Sequence, residues 1–391
     1  MKIHEYQAKA LLAAYGIAVP PGKAAETPAE ARRVASDLDG KVIVKAQVYA
    51  GGRGKAGGIK PAANRDEAAD VASSLLDTHL VTHQTSARGA PIRKVLVEKS
   101  VDIGRELYLS IIIDSAARMP VMIASEAGGM DIEEVSRQHP DKVLKVHIDP
   151  ATGFKPFHAR KLAYGINLKG DQVKQAVSLM SGLYKLFCEK DCSLAEINPL
   201  VVTAEGKLLA LDAKLNFDDN ALFRHDDIRG MHDPEQDDPF EAIAGELGIK
   251  NYVKLNGNVG CAVNGAGLAM AVLDLVKYAG GSPANFLDIG TVNNTHAIVS
   301  AFKVFTSDPD VRAILINIFG GMSRVDIIAR GIIEAHSQME VKVPVIIRLA
   351  GTNYQEGKRL LAESGIKYIE ASGFHDAAVR AVAASRTGER N

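Results

Sequence analysis

The chain has 391 residues, of which 47% are hydrophobic, and its 46 basic residues nearly cancel its 47 acidic ones. This length is sufficient for two or three domains, each with its own core. The near-zero net charge gives no electrostatic indication of a nucleic-acid or membrane partner. No stretch approaches the roughly 18 uncharged apolar residues of a membrane span, and the N-terminus lacks the apolar segment of a signal peptide, so we expect a soluble, non-secreted protein.

The first part of the chain mixes short β-rich runs with helical segments, which is typical of an α+β fold. Lys41–Lys45 and Val95–Glu98 are predicted strands, and Pro28–Leu38 is a predicted helix. The acidic segment Met231–Phe240 contains two prolines and lacks apolar periodicity, which indicates a connection between domains. We therefore predict one domain at 1–239 and a second at 240–391.

A glycine-rich segment, Ala50–Gly58, contains five glycines and two cations in nine residues. Such a loop can surround phosphates with backbone N–H groups and positive charge, although it lacks the Walker A pattern. A flexible basic surface loop is the alternative. Lys45 ends an apolar strand just before it, and a lysine there needs either a route to solvent or an anionic partner such as a nucleotide phosphate.

Two carboxylates are predicted to lie at the edge of one sheet. Glu98 ends the second predicted strand, and Glu106 precedes the apolar run Leu107–Ile113. Either carboxylate can accept hydrogen bonds from an adenine amine or from ribose hydroxyls. Solvated charges at strand ends are the alternative for each residue taken alone.

A β-hairpin provides the most specific local pattern. Its parts are Leu194–Val202, the turn Ala204–Gly206, and Lys207–Lys214. Residues whose numbers add up to about 410 should face each other, so Asn198 lies opposite Asp212 to within one residue. Glu196 is two residues from Asn198 and shares its face. Three oxygen-bearing side chains on one patch suit Mg²⁺ held partly by nucleotide phosphates, whereas the alternative is a solvated polar face.

The second domain repeats a pattern of strand, glycine-rich turn and helix, which predicts a doubly wound parallel sheet. The three predicted strands are Val259–Val263, Ala313–Phe319 and Val345–Leu349. The turns Asn264–Ala269 and Gly320–Arg324 each follow a strand and open a helix, so both are potential anion sites. Tight packing between strand and helix explains such turns equally simply.

Six segments together resemble the β-subunit family of succinyl-CoA synthetases, the ADP-forming succinate–CoA ligases. They are His4–Lys9, Ala50–Gly58, Glu196–Leu200, Asn220–Arg224, Val263–Met270 and Asn317–Gly321. The resemblance implies an N-terminal ATP-grasp domain that binds ATP or GTP with Mg²⁺, followed by a flavodoxin-like CoA-ligase domain. It also implies a cytoplasmic αβ or α₂β₂ assembly, in which the α subunit carries a phosphorylated histidine and binds most of the CoA.

The resemblance also implies roles for individual residues. The phosphates would be held by Lys45, Gly52, Arg53 and Gly54, and the base and ribose would be lined by Glu98, Val101 and Glu106. Mg²⁺ would be bound by Asn198 and Asp212, and the partner's histidine would be oriented by Glu196. The acid substrate would be contacted by Asn264, Gly321, Met322 and Ser323, with a helix beginning near Met322 directed at the phosphohistidine.

One loop departs from the family pattern. After Phe286–Ile289 the family has Gly-Gly-Gly-Ala, whereas this chain has Gly290-Thr-Val-Asn293. Because β-branched residues replace glycine poorly where φ is positive, we expect a reshaped acid pocket or partner contact. The resemblance implies that the acid is succinate. Because of the altered loop, malate or another short carboxylate or sulfinate is the alternative. A catalytically silent subunit for assembly or regulation is a further alternative, and a biotin-dependent ATP-grasp ligase is disfavoured by the C-terminal domain.

Overall fold

The computed structural model describes residues 1–85, 88–291, 294–321 and 323–387. The chain separates into two compact units, Met1–Gln236 and Asp237–Asn391. The predicted division differs from this one only in the assignment of residues 237–239. None of the helices formed by the described residues combines the length and the hydrophobicity needed to cross a bilayer.

The N-terminal unit contains both helices and strands, as predicted for an α+β fold. Its helices are α1 (Glu5–Ala14), α2 (Pro28–Leu38), α3 (Arg65–Leu75), α4 (Ile132–Gln138), α5 (Pro156–Gly165), α6 (Asp171–Glu189) and α7 (Asp226–Arg229). Its strands are β1 (Gly22–Ala25), β2 (Val42–Ala46), β3 (Ile59–Ala62), β4 (His79–Leu80), β5 (Ala90–Pro91), β6 (Val95–Lys99), β7 (Ile103–Asp114), β8 (Met119–Ser125), β9 (Val143–His147), β10 (Cys192–Thr203), β11 (Leu208–Ala210) and β12 (Ala213–Phe217).

A four-stranded antiparallel sheet has the order β1-β6-β2-β3 and packs against α2 and α3. The α2 helix begins where the sequence predicts, because Thr27 caps its N-terminus and Pro28 suits its first position. Along β2, Val42, Val44 and Ala46 belong to this core. Side chains alternate along a strand, so Lys45 points to the opposite face of the sheet, away from the two helices.

A second sheet has the order β11-β10-β7-β8-β9, with β12 also paired to β10. Its core includes buried residues of α1, α5 and α6. Glu98 therefore lies on β6 of the first sheet, whereas Glu106 lies within β7 of the second. The prediction that both carboxylates edge one sheet is wrong, because β6 and β7 are consecutive in sequence without pairing to each other.

The predicted hairpin has the expected register on both sides of an interruption. Leu200 pairs with Ala210, and Ile197 pairs with Ala213. Between these pairs the two arms of the hairpin leave the regular β-ladder. There the Leu211 amide donates instead to the Pro199 carbonyl at 3.1 Å. Asn198 and Asp212 both lie in this opening, where their side chains are not confined by strand pairing.

The C-terminal unit alternates strands and helices. Its helices are α8 (Pro239–Glu246), α9 (Ala266–Tyr278), α10 (His296–Ser307), α11 (Val325–Gln338), α12 (Tyr354–Glu363) and α13 (Phe374–Thr387). Its strands are β13 (Tyr252–Lys254), β14 (Val259–Val263), β15 (Asn285–Leu287), β16 (Ala313–Gly320), β17 (Val345–Gly351) and β18 (Ile369–Glu370).

The predicted doubly wound parallel sheet is present in this unit. The strands β14, β16, β17 and β18 pair in parallel in that order, and parallel bridges on either side of β15 place it beside β14. This strand order is that of the flavodoxin-like fold. One core includes α10, α11 and α12, and another includes α9 and α13, so the two faces are covered separately. The order reverses at β14, where a crevice at the carboxyl ends of the strands is the expected ligand site.

Candidate functional site

A cavity of about 440 Å³ lies in the N-terminal unit beside the glycine-rich loop. Its lining includes Gly51–Lys55, His83, Gln84, Gly129–Asp131, Glu196, Asn198 and Asp212. Gly52, Arg53 and Gly54 of the predicted phosphate loop therefore share one cavity with the three predicted hairpin residues. Residues separated by more than 140 positions in the sequence thus converge at a single site.

Local contacts fix the glycine-rich loop. Gly52 has a φ of +76°, and a Cβ atom there would lie 2.9 Å from the His83 ring, so only glycine fits. The Gly51 amide donates to Gln84 Oε1 at 2.7 Å. The interpretation as a flexible surface loop is therefore not supported for Gly51 and Gly52. His83 and Gln84 are cavity residues that the sequence reasoning missed.

Lys45 and Arg53 lie in a buried ion cluster together with Glu98 and two residues of α1. Lys45 contacts the Glu98 carboxylate, lies 3.1 Å from Glu5 Oε1 and donates to the Leu211 carbonyl at 2.8 Å. Arg53 lies 2.6 Å from Glu5 Oε2. Lys9 contacts both Glu5, at 2.8 Å, and Glu98. The predicted phosphate-binding cations are thus already paired with carboxylates.

The electrostatics of this cluster follow from its pairing. Burial alone pushes the pKa of Glu5 upward, but the charges of Arg53, Lys45 and Lys9 outweigh it and hold the pKa well below its ordinary value. Burial likewise lowers the pKa of Lys45, yet the carboxylates of Glu5 and Glu98 raise it above its ordinary value. The shifted pKa values keep Glu5 and Lys45 charged at neutral pH, which buried ions can be only when they are well paired.

The predicted magnesium ligands line the cavity, but protein groups already engage them. Both Asp212 oxygens accept from Arg53 Nη2, at 2.9 and 2.8 Å. Asn198 Oδ1 accepts from the Gly129 amide at 2.8 Å, and its Nδ2 donates to the Met130 carbonyl at 2.9 Å. The Asp212 side chain is 28% exposed, so it is reachable from the cavity. Carboxylate and amide oxygens are the donors that Mg²⁺ prefers.

Glu196 is half-buried in the cavity wall. The Tyr108 hydroxyl donates to Glu196 Oε2 at 3.3 Å, and Lys214 pairs opposite Glu196 in the ladder. Burial raises the pKa of the Glu196 carboxyl, while Lys214 and Tyr108 oppose the change. A carboxylate in this setting can accept an N–H from an incoming imidazole and hold that ring in place.

Four of the predicted nucleotide residues, namely Lys45, Glu98, Val101 and Glu106, do not line the cavity. Glu98 is 1% exposed and forms ion pairs with Lys9 and Lys45. Val101 is half-buried between β6 and β7. Glu106 is exposed, and its Oε2 would lie 2.6 Å from a Cβ at Gly129, so it borders the segment that holds Asn198. The structure therefore leaves the predicted base and ribose contacts as predictions.

Side-chain hydrogen bonds join the ends of neighbouring strands in the C-terminal unit, at the point where the strand order reverses. Asn264, after β14, donates through Nδ2 to the Phe319 carbonyl and accepts from the Phe319 amide through Oδ1, both at 2.9 Å. Asp288, after β15, accepts from the amides of Gly265 and Gly290 at 2.6 and 2.8 Å. Both side chains hold neighbouring turns against each other at the edge where ligands are expected.

The other predicted acid contacts lie close to these clamps. Gly321 and Ser323 follow β16, and Gly321 accepts from the Thr352 hydroxyl at 3.2 Å. The predicted contact Met322 lies outside the described residues, as do Val292 and Asn293 of the altered loop. The α11 helix begins at Val325 with Arg324 as its cap, so the predicted helix start near Met322 is wrong by about one turn.

Sequence reasoning also missed Glu5 and Lys9 of α1, and Tyr108 of β7. The sequence did contain an indication of the first two, because the helical spacing places Glu5 and Lys9 on the same face of α1 as the buried Ala8 and Leu12. A charged pair on an apolar helix face indicates buried partners elsewhere. For Tyr108, the period of two along β7 places it on the same face as Ser110, opposite the hairpin strand that carries Glu196.

Family models match both units of the chain. An ATP-grasp domain matches residues 2–202, and a CoA-ligase domain matches residues 262–382. The glycine-rich cavity falls within the first match, apart from Asp212 and its neighbours, and the clamped strand ends fall within the second. Fold and sequence together define an ATP-grasp CoA ligase.

Relatives similar over their whole length specify the family further. The chain is 50% identical over 390 residues to "Succinate--CoA ligase [ADP-forming] subunit beta" of Koribacter versatilis (strain Ellin345), covering 99% of each chain. It is 51% identical over 385 residues to the protein of the same name from Parvibaculum lavamentivorans, covering 98% of this chain and 99% of that one. This chain belongs to the family of ADP-forming succinate–CoA ligase β subunits.

Solved structures support the fold. The ATP citrate lyase of Methanothrix soehngenii, solved with citrate and coenzyme A, superposes with a TM-score of 0.71 and 19% identity over 98% of this chain and 99% of that one. The Methanosaeta concilii enzyme gives a TM-score of 0.69 with 17% identity, covering 96% of this chain and 97% of that one. At these identities the likeness concerns the fold alone.

Proposed function

We propose that this chain is the nucleotide-binding subunit of a two-subunit acid–CoA ligase and that it phosphorylates a histidine of its α subunit. The observation that carries the proposal is the cavity in which the glycine-rich loop meets Glu196, Asn198 and Asp212. The names of the relatives support succinate as the acid and an α partner. We further propose cytoplasmic αβ or α₂β₂ assemblies in which CoA is bound mainly by α.

In the proposed first step, the loop residues Gly52, Arg53 and Gly54 and the ammonium of Lys45 hold the phosphates of ATP or GTP. Asn198 and Asp212 would supply two oxygen ligands for Mg²⁺, an ion that prefers oxygen donors. When bound, the ion neutralises charge that develops on the phosphoryl group. Glu98, Val101 and Glu106 remain our candidates for contacts with the base and ribose.

Glu196 then acts on the histidine that receives the phosphoryl group. Its carboxylate accepts the N–H of the imidazole, so the other ring nitrogen presents its lone pair to the γ-phosphorus. The bond from that nitrogen to phosphorus forms as the bond to the leaving ADP or GDP oxygen breaks. The raised pKa of Glu196 makes its carboxylate a better acceptor for this proton than a carboxylate of ordinary pKa.

The second half of the proposed reaction uses the strand-end turns. Asn264, Gly321, Met322 and Ser323 bind the acid, whose carboxylate oxygen takes the phosphoryl group and frees the histidine. The CoA sulfur then attacks the acyl phosphate, and inorganic phosphate leaves. Every step is reversible. Malate or another short acid is a second candidate substrate, favoured by the loop after Gly290, which departs from the family pattern from Thr291 onward.

The decisive experiment supplies γ-labelled ATP and Mg²⁺ to the complex of this chain with its α subunit. We expect label on an α histidine, and about a hundredfold slower labelling with Glu196→Gln. Glu205→Gln is the matched control, because Glu205 is exposed at the turn of the same hairpin and pairs only with Lys207. Absence of label with the wild-type chain would refute the proposal and support the silent-subunit alternative.

A panel of acids distinguishes the two substrate candidates. Succinate, malate, other short dicarboxylates and sulfinates are each supplied with CoA and ATP to the same complex, and formation of each thioester is measured. A preference for succinate is expected from the relatives. Exclusive use of succinate would defeat the malate alternative, and a higher kcat/KM for malate would replace succinate in the proposal.

A further inference from the structure

The first helix contributes two buried charges to the nucleotide-binding unit. Glu5 and Lys9 lie one turn apart on α1, and their side chains are 2% and 6% exposed. Burying an ion without a partner costs several kcal/mol. Neither residue has a role in the function proposed above, so their presence at this position needs a separate explanation.

Glu5 is the centre of the ion cluster. One of its oxygens lies 2.8 Å from Lys9 Nζ and 3.1 Å from Lys45 Nζ, and the other lies 2.6 Å from Arg53 Nη1. Glu98 contacts the two lysines, and Asp212 contacts only Arg53 among the three cations. Glu5 is thus the single carboxylate of the cluster that contacts all three cations.

Protein oxygens already surround the two proposed phosphate-binding cations, Lys45 and Arg53. Three oxygens surround the Lys45 ammonium, from Glu5, Glu98 and the Leu211 carbonyl. Arg53 is engaged by Glu5, both Asp212 oxygens and the Ala46 carbonyl. A phosphate that approaches either cation therefore competes with these oxygens. Glu5 and Arg53 both line the cavity, so the exchange at Arg53 can occur there.

We propose that Glu5 is a positioning residue that acts as an internal anion: it holds Lys45 and Arg53 in place and competes with the triphosphate for them. This inference rests on the proposed nucleotide function. The competition sets the affinity of the site, because each phosphate contact is gained at the expense of a carboxylate contact. Binding of nucleotide is therefore an exchange of one anion for another.

The charge balance of the cluster predicts effects of opposite sign for two neighbours on α1. Three carboxylates (Glu5, Glu98 and Asp212) balance three cations (Lys9, Lys45 and Arg53). Glu5→Gln leaves one cation in excess, so triphosphate should bind more tightly. Lys9→Met leaves one carboxylate in excess, so triphosphate should bind more weakly. The double variant restores the balance.

The test is calorimetric titration of the full chain with Mg·ATP and with inorganic tripolyphosphate. We expect about tenfold tighter binding for Glu5→Gln, about tenfold weaker binding for Lys9→Met, and an affinity within about threefold of wild type for the double variant. Asp308→Asn is the matched control, because Asp308 is a fully buried carboxylate paired with Lys254 in the other unit. It should leave both affinities unchanged.

The outcomes separate the two proposals. If the wild-type chain does not bind Mg·ATP, the proposed nucleotide function fails. If it binds Mg·ATP but Glu5→Gln binds equally or more weakly, only the present inference fails, because a purely structural Glu5 predicts a loss. If Glu5→Gln does not fold, the double variant is compared with Lys9→Met. Tighter binding by the double variant supports the inference, and equal or weaker binding overturns it.

Discussion

The two units of the chain build their proposed anion sites in different ways. The N-terminal site brings ions from a helix, a loop and separate strands into one buried cluster, in which Arg53 spans Glu5 and Asp212. The C-terminal site uses backbone groups at strand ends, held in place by the short side chains of Asn264 and Asp288. The first should therefore be sensitive to changes of charge, and the second to changes of backbone position.

Removal of the Asp212 charge is the most severe test of the charge-based site. Asp212→Asn removes a proposed Mg²⁺ ligand and one partner of Arg53, so phosphoryl transfer to α should fall about a thousandfold. Triphosphate binding should survive, because Arg53 is then released for phosphate. Single-turnover labelling and calorimetry measure the two effects. Loss of binding together with transfer would mean that Asp212 supports the cavity rather than the reaction.

Gly351 offers the corresponding test of the backbone-based site. It has a φ of +116°, and a Cβ atom there would lie 2.0 Å from the Gly320 carbonyl oxygen. Gly351→Ala should therefore reduce the free energy of unfolding by about 3 kcal/mol, as measured by urea denaturation. Gly245→Ala is the control, since Gly245 lies within α8 with nothing near its Cβ position. That change should stabilise the chain by about 0.5–1 kcal/mol.

The clamp at Asn264 should affect the acid but not the nucleotide. Asn264→Asp can no longer donate to the Phe319 carbonyl, and the repulsion between the two oxygens should cost about 2 kcal/mol. We expect the KM for the acid to rise about tenfold, with labelling of α from ATP unchanged. Asn285 makes the same reciprocal pair with Cys261 inside the unit, both bonds being 2.9 Å. Asn285→Asp should lower stability without changing this KM, and an equal rise in KM would contradict the assignment.

The smallest expected effect concerns pH. A hydrogen bond from Arg324 lowers the pKa of Asp326, and Asn353 contributes in the same direction. A carboxyl whose pKa is lowered by folding stabilises the protein above its unfolded pKa, about 3.9, and this contribution is lost as the pH falls through the folded value. Asp326→Asn should therefore be less stable than wild type at neutral pH, and the difference should vanish in acid. A difference independent of pH would indicate packing instead of charge.

Local patterns in the sequence predicted much of the fold. The register of the hairpin could be predicted from the position of its turn. Because side chains alternate between the two faces of a strand, few other pairings of the two strands remain once the turn is located. Three strands of the C-terminal sheet could be predicted because each is an apolar run followed by a glycine-containing turn. The start of α11 was misplaced because glycine and serine at 320–323 are compatible with either a turn or a first helical turn.

Contacts between distant segments could not be predicted in the same way. Lys45 was expected to need an anion, and the structure supplies Glu5 and Glu98. A single sequence shows that a buried cation requires a partner but does not show which carboxylate folds onto it. The effect of the altered loop remains a prediction, since Val292 and Asn293 lie outside the described residues.

The balanced ion cluster has a consequence for how this chain can vary over evolution. A neutralising change at Glu5, Lys9 or Glu98 leaves an unpaired ion in the interior, which costs about 3–5 kcal/mol, a large share of the stability of a typical domain. A second change that restores the balance removes most of that cost. In an alignment of related chains, these positions should therefore change together or not at all, whereas the exposed pair of Glu205 and Lys207 should vary independently.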